Sequence, residues 1–564
     1  MFKENNQPSL ISFELELAKE QQKLLEKTPE KAFYDLIFSN IKENDYKVLF
    51  SDKASRPNAP VNILVSALVL KERKGWSFDE MMGNVMFDMR TKVALGLSRL
   101  DEKPFGRATI FNFQNRLGEY EQKTSINLLE KTFDNLSAKQ LNKLKIKTNI
   151  QRTDSSLISS NIKKYGRVQL LVEVLLRLWR ILGEQDKEQL SSQAKPYLKL
   201  GSEKYVYTLK PKNLTHELEK LGKLYNAIYE DINGKYSDTI EFKDFERVYK
   251  EHFTVIDGNT VAKPNGELNS SILQSPDDRD ATYRKKREEE SKGYTINATE
   301  TANPENGIQL ITDIAVNKNN IDDSKILEER IDKIIEKTPD LGEMHTDGGY
   351  GSEEVDKKME GKNITLVTTA VRGRKREVEI TIEQNDGQEQ QYTVKCPEQT
   401  IKSEKTKTRD KAVYDFQKCQ GCPRKDVCGI FKNKGTYYFT QSDFLRNKRD
   451  RNILKIPKER RKIRPNVEAT MKEFKGKTKA GKLKTRGLFK ANLFAFAMGI
   501  SINFGRIYRF LEENGGFFNN LLPFFDKFLT HIFYSLFLSP NTGCEMNCPP
   551  IYFKYPTIAD FKYW

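Results

Sequence analysis

The chain has 564 residues, and 95 Lys and Arg against 79 Asp and Glu leave a formal net charge of +16. A single core seldom exceeds roughly 250–300 residues, so this length has room for two to four domains. The positive surplus favours a polyanionic partner, nucleic acid foremost, through phosphate contacts and counterion release, although a Lys- and Asn-rich composition also follows from an AT-rich genome.

The first residues, MFKENNQPSL, lack the basic start, apolar run and small-residue cleavage site of a secretory signal. The most apolar stretches, 168–182 and 491–504, are interrupted by Glu173, Arg177 and Arg180, or by Asn492 and Asn503. They fall short of an unbroken span of about 20 residues and read as buried helices of a soluble cytoplasmic protein with no membrane partner. Six cysteines, four of them between Cys396 and Cys428 and two at Cys544 and Cys548, occur in a chain too large to need disulfide staples. That usage points to metal ligation in a reducing compartment.

Residues 1–140 read as helical. An apolar run over 61–70 breaks at Gly75-Trp76-Ser77, and Ser77 with Glu80 has the capping-box spacing that starts a second helix through Met81 and Val85. Thr109 is the expected cap of a third helix carrying Phe111, Phe113 and Leu117. Short helices with turns and a basic surface suit a helix-turn-helix-like DNA-binding module, and equally a small bundle of other purpose.

From Leu144 the period changes. Ile146, Thr148, Ile150 and Arg152 alternate with polar residues, predicting a strand that ends at Asp154. Strands over 293–300 and 307–316, a helix over 324–337, a short strand over 343–347, a helix from Ser352 and an apolar strand over 364–370 follow. This order, three strands and then helix, strand, helix, strand, is that of a ribonuclease-H-like α/β fold, a mixed sheet flanked by helices whose first and fourth strands are neighbours. The catalytic domain is expected over 141–490, with a largely helical insertion at about 155–290 and a cysteine-containing insertion at about 372–456. An aromatic-rich helical region, 491–564, closes the chain.

On this topology Asp154 and Asp347 face one another across a crevice. Alone, either is an ordinary turn or cap residue. Asp347 is followed by Gly-Gly-Tyr-Gly, which lets the backbone turn sharply and a metal or phosphate approach. The third carboxylate, Glu468, lies in Arg464-x3-Glu468-x6-Lys475 on an expected helix, where seven residues are nearly two turns and place Glu468 and Lys475 on one face. An exposed amphipathic helix with routine charge pairs would look similar. Acids from two strand ends and one helix can hold two Mg²⁺ ions about 3.5–4 Å apart for in-line attack on a phosphodiester. Cys396, Cys419, Cys422 and Cys428 include a Cys-x2-Cys pair and are candidate ligands of a structural Zn²⁺.

Together these segments resemble the DDE transposases of bacterial insertion sequences, in the group with a Tyr-x2-Arg-x3-Glu-x6-Lys signature. Arg464, Glu468 and Lys475 match its last three positions, and Arg461 stands at its tyrosine position. The resemblance implies Asp154, Asp347 and Glu468 as metal-binding catalytic residues with Mg²⁺ or Mn²⁺, and Arg461, Arg464 and Lys475 as DNA contacts. It implies cleavage at the element's ends, transfer of the freed 3′ hydroxyl into target double-stranded DNA, and a homodimer acting on paired ends. The alternatives are a catalytically inactive, domesticated DNA-binding protein and a metal-dependent endonuclease that cannot join.

Overall fold

A computed structural model of the chain describes residues 1–5, 12–53, 57–232, 234–286, 288–368, 377–385, 391–457, 460, 463 and 466–514. Arg461, Arg464, Cys544, Cys548 and most of the aromatic C-terminal region lie outside the described residues.

Between Ser12 and Lys143 every regular element is helical. The helix Val61–Lys74 ends at Gly75, whose φ of 70° is the left-handed C-cap conformation that glycine adopts without a Cβ clash. Ser77 then caps the helix Phe78–Phe87, and its side chain and that of Glu80 satisfy each other's backbone N–H as their spacing predicts. The helix Arg107–Thr124 starts two residues before Thr109, with Gly106 as its cap.

A six-stranded mixed sheet follows, built from β1 (Ile150–Ser159), β2 (Thr282–Lys286), β3 (Glu289–Thr301), β4 (Ile311–Lys318), β5 (Glu343–Thr346) and β6 (Thr365–Thr368). Strands β2 and β4 both pair with β3, which pairs antiparallel with β1; β5 pairs parallel with β1 and with β6. The strand predicted to end at Asp154 runs on to Ser159, because Ser156 and Ile158 continue the ladder opposite Ile296 and Tyr294. That ladder is close at Gly293, where a Cβ would sit 2.3 Å from the Ile158 carbonyl oxygen.

Helices Asp323–Lys337 and Glu353–Gly361 flank the sheet with Val467–Lys475 and Leu488–Glu513. The last is long and apolar enough to cross a membrane, but 72% of its most apolar window is buried within the protein. It is a core helix: Phe496 packs on Phe133, and the same apolar cluster takes in the N-terminal helices, β3, β4 and Val467, Met471 and Phe474. Each such buried side chain contributes roughly 1.5–3 kcal/mol. Arg330 adds a polar tie, pairing with the buried Asp313 of β4 and with Glu130 of the helix Leu128–Lys143 at 2.8 Å.

Four helices, Arg167–Ile181, Glu184–Tyr207, Leu214–Ile232 and Ile240–His252, are inserted between β1 and β2 around their own apolar cluster. Beyond β6, short antiparallel strands and the helix Gln441–Lys455 enclose a third cluster that includes Cys419 and Cys428.

Candidate active site

The parallel pairing of β1 with β5 sets Arg152 beside His345. Asp154 comes two residues after Arg152, within β1, and Asp347 two residues after His345, just past the end of β5, so the two acids follow the last paired residues of neighbouring parallel strands. Asp154 is buried and Asp347 half-buried. Each carboxylate accepts a local backbone N–H, Asp154 from Ser155 at 2.8 Å and Asp347 from Gly349 at 2.6 Å. The latter bond makes Asp347 the cap of the short turn Gly348–Tyr350.

That turn delivers Tyr350 into the sheet, fully buried, with its hydroxyl accepting a hydrogen bond from Asn297 Nδ2 at 2.6 Å. Burial pushes the Tyr350 hydroxyl far above the usual phenol range, and the charges of Asp323, Asp154 and Asp347 push it further. The Tyr350 ring therefore stays neutral near three acids. Asp323, at the start of its helix, accepts from Ser155 Oγ at 2.8 Å and lies 4.0 Å from Arg284. His345 is buried and bonds through Nε2 to Glu343 at 2.5 Å, away from any reacting group, in keeping with a structural role.

Glu468 lies in the first turn of the helix Val467–Lys475, which packs against β1 through Val467, Thr470, Met471 and Phe474. Glu468 itself is exposed on the flank, about 20° around the helix from Lys475, as the seven-residue spacing requires. Lys475 is half-buried, and desolvation holds its pKa below the usual lysine range. Arg461 and Arg464 fall outside the described residues.

Cys396, Cys419, Cys422 and Cys428 line one small pocket with Gln399 and Pro397. The Cys422 N–H bonds to the Cys419 carbonyl at 3.3 Å, forming the knuckle, and Gln399 Nε2 reaches Cys419 Sγ at 3.5 Å. All four are free thiols, and burial raises the pKa of Cys419. Among the described residues no three His, Cys, Asp or Glu side chains are spaced to hold one ion.

Residues 370–508 match the family model for a transposase DDE domain. Over that stretch the chain is similar to a transposase DDE domain. Within it the matched segment spans the cysteine pocket, Glu468, Lys475 and most of the long C-terminal helix, while Asp154 and Asp347 precede it. No curated protein and no solved structure matches the chain. Enzymes with such a domain act on DNA and generally use divalent metal ions such as Mg²⁺, which accords with the net charge of +16.

Sequence reasoning missed Tyr350, Asn297 and Asp323 as neighbours of the candidate residues. A signal for the first was present: an aromatic residue three positions after Asp347, beyond two glycines, has nowhere to go but under the turn.

Proposed function

We propose that this protein is a DDE transposase that nicks DNA at the ends of an insertion sequence and joins the freed 3′ hydroxyl to target DNA. The observation carrying the reading is the match of residues 370–508 to a transposase DDE domain, supported by the parallel pairing of β1, which holds Asp154, with β5, which leads into Asp347. The strand order β4-β3-β1-β5-β6, with β1 between β3 and β5, supports the reading of a ribonuclease-H-like core.

In this reading Asp154, Asp347 and Glu468 hold the metal ions. The support is the chemistry of the donors, three hard carboxylates: Asp154 on β1, Asp347 just past the end of β5, and Glu468 on a helix that packs against β1. Bound there, a pair of Mg²⁺ or Mn²⁺ ions would activate the attacking water or 3′ hydroxyl and stabilise the leaving oxygen. Tyr350, held protonated, adds no charge beside the acids. Lys475 contacts a backbone phosphate as a point charge, Arg464 and Arg461 do so as forks, and the exposed Lys477, Lys479, Lys482 and Lys484 extend the track. The N-terminal helices recognise the element ends, and two copies act on paired ends.

We also propose the four cysteines as donors for a structural Zn²⁺, because all four line one pocket, although no three of them are spaced around a single ion as they stand. Purified protein with one zinc per chain, lost along with stability in Cys422→Ser, would bear this out. Zinc-free protein of unchanged stability would dismiss it.

The test of the main reading is nicking and joining on a plasmid carrying the gene's own flanking DNA, with Asp347→Asn in parallel. Metal-dependent nicks at the element ends and joined products, both absent from the variant, are expected. Binding to those ends with neither product under Mg²⁺ or Mn²⁺ would hand the protein to the binding-only reading. Nicking without joining would make it an endonuclease.

A further inference from the structure

Glu300 is a charged residue in an otherwise uncharged stretch of β3, and its side chain is wholly buried. It lies opposite Arg152 of β1. Its Oε1 accepts from Arg152 Nε at 2.7 Å and pairs with Nη2 at 2.6 Å. Its Oε2 accepts from Arg506 Nη1 at 2.7 Å and from Thr470 Oγ1 at 2.7 Å. Arg506 Nη2 donates to Thr470 Oγ1 and to Glu473, each at 2.6 Å, and Arg152 Nη1 donates to the Ile463 carbonyl at 2.8 Å. Two guanidinium groups, two carboxylates and a hydroxyl thus interlock β1, β3, the Glu468 helix and the long C-terminal helix.

The members of this network interleave with the residues assigned to chemistry. Arg152 is two positions before Asp154 and on the same face of β1, Thr470 is two positions after Glu468, and Glu473 is two positions before Lys475. The Glu468 helix has nine residues, too few for stability of its own. Val467, Met471 and Phe474 hold it down, but apolar burial is non-directional and leaves rotation and sliding weakly fixed. Charge-assisted hydrogen bonds are directional and fix both. Buried ion pairs add little net stability over well-packed apolar groups, so a network this complete needs a reason other than stability.

We propose that Glu300 is a positioning residue: with Arg152, Arg506 and Thr470 it sets the rotation and height of the Glu468 helix on the strand that carries Asp154. The assignment rests on the transposase reading for its consequence, since a metal site shared by strand and helix exists only in that register.

The test uses full-length protein and three substitutions. Thr470→Val removes one hydroxyl at constant shape, Thr470→Ser retains it, and Glu300→Gln removes the central charge. Hydrogen exchange is followed in peptides covering 467–475, and end nicking is measured against Mg²⁺ concentration. In Thr470→Val and Glu300→Gln, exchange over 467–475 should accelerate about tenfold or more, and the Mg²⁺ needed for half-maximal nicking should rise about tenfold, the scale on which residues supporting metal ligands act. DNA affinity should be unchanged, and Thr470→Ser should behave as wild type. If Glu300→Gln fails to fold, Thr470→Val decides. Unchanged exchange in the Glu468 helix, acceleration spread evenly over the chain, or a loosened helix with an unmoved Mg²⁺ requirement would each overturn the proposal. A wild-type protein that never nicks would sink the transposase reading instead, and the exchange comparison would still uphold or overturn the clamp.

Discussion

Acidification from pH 7 to pH 5 should cost the helical insertion about 2 kcal/mol through His252 alone. The imidazole is 1% exposed, Arg167 Nε donates to its Nδ1 at 3.2 Å, and its Nε2 has no hydrogen-bond partner among the described residues. Burial, then the charges of Arg167 and Lys263, push its pKa down from 6.5 to about 3. A base with a lowered folded pKa contributes stability that is present above the unfolded pKa and is lost as pH falls below it. At pH 5 the unfolded chain lies roughly 1.5 units below its pKa of ~6.5 while the folded imidazole stays neutral, and each unit is worth about 1.36 kcal/mol. Hydrogen-exchange protection of peptides in 167–252, corrected for intrinsic rates, should fall about 30-fold in wild type over this range and hardly at all in His252→Gln. Asp134 and Asp356, raised by burial to about 6, act in the opposite direction in both proteins and cancel in the comparison. An equal acid loss in wild type and variant would refute the reasoning.

Gly293→Ala would place a Cβ 2.3 Å from the Ile158 carbonyl oxygen and 2.6 Å from the Ser160 nitrogen, both backbone atoms, so β1 and β3 must part. Denaturant unfolding should show a loss of ~3 kcal/mol, and a loss under 1 kcal/mol would mean the strands yield more readily than close packing allows. Lys475→Ala should weaken binding to DNA of any sequence and lower the salt-dependence slope by about 1, read from filter binding between low and high salt. A sequence-selective loss would instead place Lys475 at a base edge.

The sheet was readable because its strands alternate and its turns are marked. The helix read over 324–337, the strand read over 293–300 and the Ser77–Glu80 cap all follow from local spacing and fall within observed elements. The end of β1 was not readable, since Ser155 and Ser156 resemble a turn and only their pairing opposite Asn297 and Ile296 makes them strand. The helix Glu184–Tyr207 was hidden by Pro196 and Gly201, which local rules take as breakers and the fold absorbs as a kink at Gly201. At the candidate site the pairing of β1 with β5, the strands that lead to the two aspartates, was legible from topology. Glu300 was not, because a carboxylate in a strand has no local signature of burial; its meaning comes from Arg152, Thr470 and Arg506, which are distant in sequence.

The most direct test of the central claim is the metal preference of Asp347→Cys in the end-nicking assay. A thiolate is a poor ligand for Mg²⁺ and a better one for Mn²⁺, so a carboxylate that binds the ion is distinguished from one that only shapes the turn. The account predicts no nicking by the folded variant in Mg²⁺ and partial recovery in Mn²⁺, with wild type active in both. Wild-type nicking by Asp347→Cys in Mg²⁺ would contradict a metal-binding role for Asp347.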